Sequence, residues 1–320
     1  MNKLSTNKPS TMQIVDSVSN AIITHIPNVM PYQNNFKEWL IEIEKHQLLL
    51  QNVLNPTIAE YLPLKNEVWK LVIKKLYNVM PFSKEYILKI YRHTHKNIPY
   101  LLYPAKQPKY LIILFTGYIN YESYNRFSWY FDETEQSNND TAYLFLGDQS
   151  LHWYVGTPEM PTLLTYCEII NNTLETLNIS HQSTFAVGAS MGGYASILFG
   201  TICKLGGVIA VHPQLCKKSA DRYHRDNWKR KINECGMNFI NLDDLIMRHE
   251  TIPPIYLEVG RNPADTAGLK NFTSAVNKKN SLLILRRHDS YLHETKKPSQ
   301  NTINNIISLF LKEKQEYPYE

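Results

Sequence analysis

A serine set among small residues, Gly188-Ala189-Ser190-Met191-Gly192-Gly193, is where this chain could do covalent chemistry. It follows the apolar run Thr184-Phe185-Ala186-Val187 and precedes Tyr194-Ala195-Ser196-Ile197-Leu198-Phe199, which reads as a buried helix. A strand, a tight turn and a helix in that order push the serine out of the backbone with its hydroxyl exposed. The helix dipole and the unpaired N–H groups of the first turn favour negative charge there. A serine hydroxyl is a weak nucleophile, so a base and an orienting acid must arrive from elsewhere in the chain.

The elements around this turn suggest how they arrive. From about residue 84 the apolar pattern takes a strand period: 86–91 and 98–103 read as two strands joined around Lys96-Asn97, and 110–116 as a third. Strand and helix then alternate. Strands are expected at 142–146, 184–187, 208–211, 255–259 and 282–285, and helices at 160–177, 192–201, 267–277 and 302–312. Such alternation predicts an α/β fold with a mostly parallel sheet covered by helices on both faces. Ligands on such sheets sit beyond the carboxyl ends of the strands, and Ser190 falls at one.

Residues 1–81 differ in character. Helices are expected at 37–54 and 66–79, the second closed by Met80-Pro81. The first 30 residues are polar, carry Pro9 and Pro27, and have a composition compatible with partial disorder. The organisation expected is therefore a helical N-terminal extension over 1–81 and a larger domain over 82–320. Residues 214–251, between two core strands, are too long for a simple crossover and read as a lid-like insertion.

Composition excludes several classes. With 320 residues, 43% hydrophobic and 20% charged, the chain is ordinary for a globular protein with a sizeable core. Its longest aliphatic runs are too short to span a bilayer and its start lacks a signal-peptide core, so a cytoplasmic location is expected. The four cysteines form no C-x-x-C pair, which argues against thiolate metal sites and disulfides, and no metal is expected. The net charge of +5 is mild, and much of it lies within 217–231, a solvated helix face or a surface for an anionic substrate. No nucleic-acid motif accompanies it.

Together these features resemble the α/β-hydrolase superfamily over about residues 82–314. The resemblance implies the order nucleophile, acid, histidine, with acid and histidine in loops after two late strands. Ser190 is then the nucleophile. Asp265, in the loop after 255–259, is the acid, with helix N-capping as its alternative role; Glu258, inside the strand, is a weaker rival. His293 is the base, with His288 as the alternative. The oxyanion hole is expected from the N–H of Met191 and that of Tyr118, where Thr116-Gly117 replaces the customary His-Gly. Arg126, Asp148, Trp153 and Tyr154 are expected to contact substrate, with an aromatic-rich cap packed on the sheet as the equal alternative for their two stretches. More loosely, the strand end Phe115-Thr116-Gly117, Asn125-Arg126, and Trp153, Tyr154 and Gly156 resemble serine enzymes of bacterial capsule and surface-glycan assembly. That branch implies an esterase or O-acyltransferase acting on a small-molecule ester or glycan, with no cofactor beyond an acyl donor such as acetyl-CoA. A peptidase or thioesterase, or a non-catalytic glycan-assembly protein, are the other readings; the oligomeric state is left open.

Overall fold

The computed structural model describes residues 10–25, 65–78, 84–122, 140–223, 226–293 and 298–316. Two units divide the chain, Met1–Ile90 with Phe131–Gln136, and Tyr91–Tyr130 with Ser137–Glu320.

In the first unit α1 (Thr11–His25) packs on α2 (Lys65–Asn78), and the buried Ser19 hydroxyl donates to the carbonyl of Val68 at 3.2 Å. Residues 11–25 fall where composition suggested partial disorder. They form α1, whose start carries a capping box: Ser10 Oγ accepts from Gln13 N–H at 3.3 Å, and Gln13 Oε1 from Ser10 N–H at 2.8 Å. The helix expected at 37–54 lies outside the described residues.

A second correction concerns 86–91, expected as a strand. This stretch ends a helix, α3 (Lys84–Tyr91), and β1 is Arg92–His95. The apolar pairs Tyr86-Ile87 and Ile90-Tyr91, four residues apart, fit a helical period as well as an extended one. The turn decides the rest. Lys96 and Asn97 both have positive φ, 45° and 66°, as a two-residue hairpin turn requires, so His95 must pair with Ile98 and the strand must abut the turn.

The second unit holds an eight-stranded sheet in the order β1-β2-β4-β3-β5-β6-β7-β8. Its strands after β1 are β2 (Ile98–Tyr103), β3 (Tyr110–Phe115), β4 (Thr141–Leu146), β5 (Thr184–Ala189), β6 (Gly207–Val211), β7 (Ile255–Val259) and β8 (Leu283–Arg287). β1 and β2 are antiparallel to their neighbours, and the rest of the sheet is parallel. Central strands are apolar on both faces and nearly wholly buried, as in a sheet covered by helices. Each fully buried aliphatic side chain there, such as Leu111 or Ile113, stabilises the fold by about 1.5–3 kcal/mol. The edge strands β1 and β8 instead turn arginines and histidines outward.

The helices around the sheet are α4 (Leu163–Leu177), α5 (Met191–Ile202), α6 (Lys218–Asp221), α7 (Asp226–Glu234), α8 (Leu242–Arg248), α9 (Pro263–Thr266), α10 (Leu269–Lys278) and α11 (Gln300–Glu316). The helix expected at 267–277 is α10 and begins at Leu269, because Gly268 at φ 78° separates it from the short α9. Residues 214–251 hold α6, α7 and α8. Parallel register brings Gly188 level with Phe115, Val211 level with Ala189, and Glu258 level with both Val211 and Arg286. The loops after β3, β5, β6, β7 and β8 therefore leave from one edge of the sheet.

Candidate active site

Ser190 occupies the turn between β5 and α5 with φ 56° and ψ −125°, a backbone state costly for a residue with a side chain. Close packing holds it there. A Cβ on Gly188 would lie 2.1 Å from the carbonyl oxygen of Gly192, and one on Gly192 would lie 2.3 Å from that of Phe115. The second contact also seats the turn against the end of β3, at Phe115 and Thr116. Ser190 N–H donates to Val211 O at 2.8 Å, which anchors the turn to β6.

His293 Nε2 lies 2.9 Å from Ser190 Oγ, and His293 Nδ1 lies 2.6 Å from Asp265 Oδ1. Ser190 sits at the turn after β5, Asp265 in the short α9 after β7 and His293 in the loop after β8, and Ser190 and Asp265 are buried. Asp265 is not the helix cap: Asn262 takes that role, accepting from Ala264 N–H at 2.9 Å with Pro263 beside it. The Asp265 side chain is thereby left to the imidazoles. Burial by itself would raise its pKa, but the hydrogen bonds and charge of His212 and His293 outweigh it and hold the carboxyl below its ordinary value. An ionised carboxylate only accepts, so His293 Nδ1 carries a hydrogen and its Nε2 turns a lone pair to the serine hydroxyl.

His288 is not beside the serine. Its Nε2 lies 2.9 Å from Nε2 of His212, whose Nδ1 is 2.6 Å from Asp265 Oδ2. Asp265 thus binds two imidazoles, one per oxygen. Among the described residues, two groups bring three possible metal-ligand atoms within 4.8 Å of one another: His212, Glu258 and His288, and His212, Asp265 and His293.

Met191 is the first residue of α5, so its N–H has no carbonyl within the helix to bond. Tyr118 follows β3, its ring 5.6 Å from that of Trp153 and 6.2 Å from that of Trp228. Arg126 lies outside the described residues. The other three residues expected to meet substrate have supporting work instead. Trp153 and Tyr154 are 0% exposed and Asp148 is buried. The Tyr154 hydroxyl donates to Thr116 O at 2.7 Å, Trp153 Nε1–H donates to Gln214 Oε1 at 3.1 Å, and both Asp148 oxygens accept from their own loop. An aromatic, polar loop at a strand's carboxyl end looks the same in sequence whether its side chains face a ligand or fold inward.

His212 and Gln214 are functional candidates the sequence reading missed. Gln214 Nε2–H donates to Ser190 Oγ at 3.4 Å and to His212 O at 3.2 Å. Their signal was position, since His212-Pro213-Gln214 follows β6 directly on the edge where ligands of such sheets bind. The insertion also reaches the site. Tyr223 and Trp228 stack at 3.9 Å and set their rings 5.4 and 5.2 Å from that of His293, an apolar cover over the base.

A cavity of about 630 Å³ opens nearby, lined by Lys217, Lys218, Arg222, Lys229 and Lys270 against the carboxylates of Asp221 and Asp243. Ser190 does not line it. Thr266, next to Asp265, and Cys216, two residues from Gln214, do.

Comparison of folds finds solved structures of the same architecture. The meningococcal (Neisseria meningitidis) serogroup A capsule O-acetyltransferase is similar at a TM-score of 0.54 and 17% identity, over 68% of this chain and 93% of that one. The fold is that of the α/β-hydrolases. Fluorophosphonate-binding serine hydrolase F of Staphylococcus aureus is similar at 0.52 and 12% identity, over 69% of this chain and 96% of that one. S-formylglutathione hydrolase of the same organism is similar at 0.50 and 14%, with the same coverage. No protein-family model and no curated protein matches the sequence. Within this α/β-hydrolase fold, no helix among the described residues is long and apolar enough to cross a membrane.

Proposed function

We propose that this protein is a serine-dependent acyl-ester enzyme, an esterase or O-acyltransferase, with Ser190 as nucleophile, His293 as base and Asp265 as acid. The observation that carries this reading is the row from Ser190 Oγ to His293 Nε2 at 2.9 Å and from His293 Nδ1 to Asp265 at 2.6 Å. His293 takes the serine proton as Oγ attacks the ester or thioester carbonyl, and Asp265 stabilises the imidazolium that forms. The N–H groups of Met191 and Tyr118 serve the oxyanion, and Gln214 adds a donor at the serine oxygen. As the tetrahedral intermediate collapses, His293 returns the proton to the leaving group and an acyl-serine remains. Water or an acceptor hydroxyl, deprotonated by the same imidazole, then releases the acyl group. The aromatic cover of Tyr223 and Trp228 keeps bulk water from the base.

Transfer to a hydroxyl of an anionic surface glycan, in the cytoplasm, is the form we favour. Five cations around one cavity suit a polyanion, either the phosphates of a coenzyme A thioester donor or an acidic glycan acceptor. The likeness to a capsule O-acetyltransferase points the same way.

Intact-mass spectrometry after fluorophosphonate treatment tests the chemistry. One adduct is expected on the wild type and none on Ser190→Ala, with labelling of His293→Ala strongly slowed. A folded wild type that takes no adduct overturns the reading.

A further inference from the structure

His212, Glu258 and His288 are not the groups bonded to Ser190, yet they converge from three neighbouring strands. His212 directly follows β6, Glu258 lies in β7, and His288 directly follows β8. Pairing of Val211 with Glu258 and of Glu258 with Arg286 brings the three strand ends level.

Each side chain is held with a donor atom turned inward. The buried His212 gives its Nδ1–H to Asp265, so its Nε2 presents a lone pair. That lone pair faces Nε2 of His288 at 2.9 Å, a separation that needs either a proton or a cation between the nitrogens. Glu258 is divided. Its Oε2 accepts from the Tyr256 hydroxyl at 2.9 Å and faces Arg286 at 3.6 Å, while Oε1 lies 3.8 Å from His288 Nε2.

We propose that His212 Nε2, His288 Nε2 and Glu258 Oε1 bind a divalent transition-metal ion, best matched by zinc. Two imidazoles and a carboxylate are a donor set that suits zinc and leaves a fourth position for water. Metal-bound histidines commonly give their other N–H to a carboxylate, as His212 does to Asp265, and bound carboxylates are themselves hydrogen-bonded, as Glu258 is to Tyr256. With bonds of about 2.05 Å, a tetrahedral zinc sets neighbouring donors roughly 3.3 Å apart, so the 2.9 Å between the nitrogens must open by only about 0.4 Å. The side chains of His288 and Glu258 are 27% and 14% exposed, which gives an ion a path in. Once bound, it ties together the ends of β6, β7 and β8, from which the loops bearing Gln214, Asp265 and His293 leave. The proposal does not rest on the acyl-transfer reading, and its test reads metal rather than turnover.

Full-length protein stripped with a chelator, reloaded with Zn²⁺ and dialysed is expected to retain close to one ion per chain by elemental mass spectrometry. A Co²⁺-loaded sample is expected to show the visible absorption of a four-coordinate nitrogen and oxygen site. His288→Ala and Glu258→Gln, both at partly exposed positions, should weaken binding at least about 10–100-fold. His293→Ala should keep it. Failure of folded wild type to retain stoichiometric metal overturns the proposal and leaves a His212–His288 hydrogen bond in its place. So does binding untouched by His288→Ala and Glu258→Gln, or binding lost in His293→Ala, which would put the ion in the Ser190 row.

Discussion

Asp148 and Asp265 are both buried carboxylates past the ends of parallel strands of one sheet, the first expected to contact substrate and the second to act as the acid. Their partners separate them. Asp148 accepts from Ser150 N–H at 3.0 Å, Ser150 Oγ–H at 2.5 Å, His152 N–H at 2.8 Å and Tyr154 N–H at 2.9 Å, all within six residues of itself. It holds a tight loop in which Leu151, Trp153 and Tyr154 all have positive φ. Asp265 accepts from two imidazoles that arrive from other loops, 53 and 28 residues away. A carboxylate filled by backbone N–H groups can only organise its loop. One filled by imidazoles sets tautomers, and through them the basicity of the group beyond.

The contrast is broken most severely at Asp265. Asp265→Asn should lower turnover by about 10⁴-fold, because the amide no longer fixes the tautomer that aims a lone pair at Ser190. Steady-state rates on an activated ester, beside circular dichroism showing a retained fold, read this. Asp148→Asn should act on stability instead. An amide NH₂ placed against the N–H groups of His152 and Tyr154 loses charge-assisted bonds and costs about 3 kcal/mol in a denaturant titration. A loss of turnover as large as that of Asp265→Asn, at full stability, would erase the distinction.

Gln214 joins the two regions, with one end on Trp153 and the other on Ser190. Gln214→Ala should therefore show both effects in small measure. We expect a fall in kcat of about tenfold from the lost donor, and about 1–3 kcal/mol of destabilisation from the stranded indole N–H. A change in only one of the two readouts would assign Gln214 to one region. The smallest effect is expected at Glu234, whose carboxyl the hydrogen bonds of His152 and Lys231 hold down at about 2. A depressed carboxylate contributes stability that is fully present above its ordinary pKa and lost as pH falls toward the depressed one. Glu234→Gln should flatten the slope of stability against pH between about 4.5 and 2, with little change in turnover at neutral pH.

Much of this was readable beforehand. The strand-turn-helix around Ser190 and the parallel alternation rest on local pattern and chain order, which a sequence displays directly, whereas the choice of Asp265 and His293 came from the resemblance to the α/β-hydrolases. The failures have local causes too. The 86–91 stretch suits both periods, and the capping box at Ser10 and Gln13 was overlooked amid polar residues. Trp153 and Tyr154 belong to residue types that serve equally in a pocket or a core.

What the sequence determined by itself is the set of elements and the turn that exposes Ser190, because apolar period, glycines and turn residues act over a few neighbours. Tertiary structure alone decided the company each side chain keeps. His212, Glu258, Asp265, His288 and His293 meet only because parallel register sets the ends of β6, β7 and β8 level, and no spacing along the chain encodes that distance. The same register left Asp148 to its own loop and gave Asp265 to two histidines.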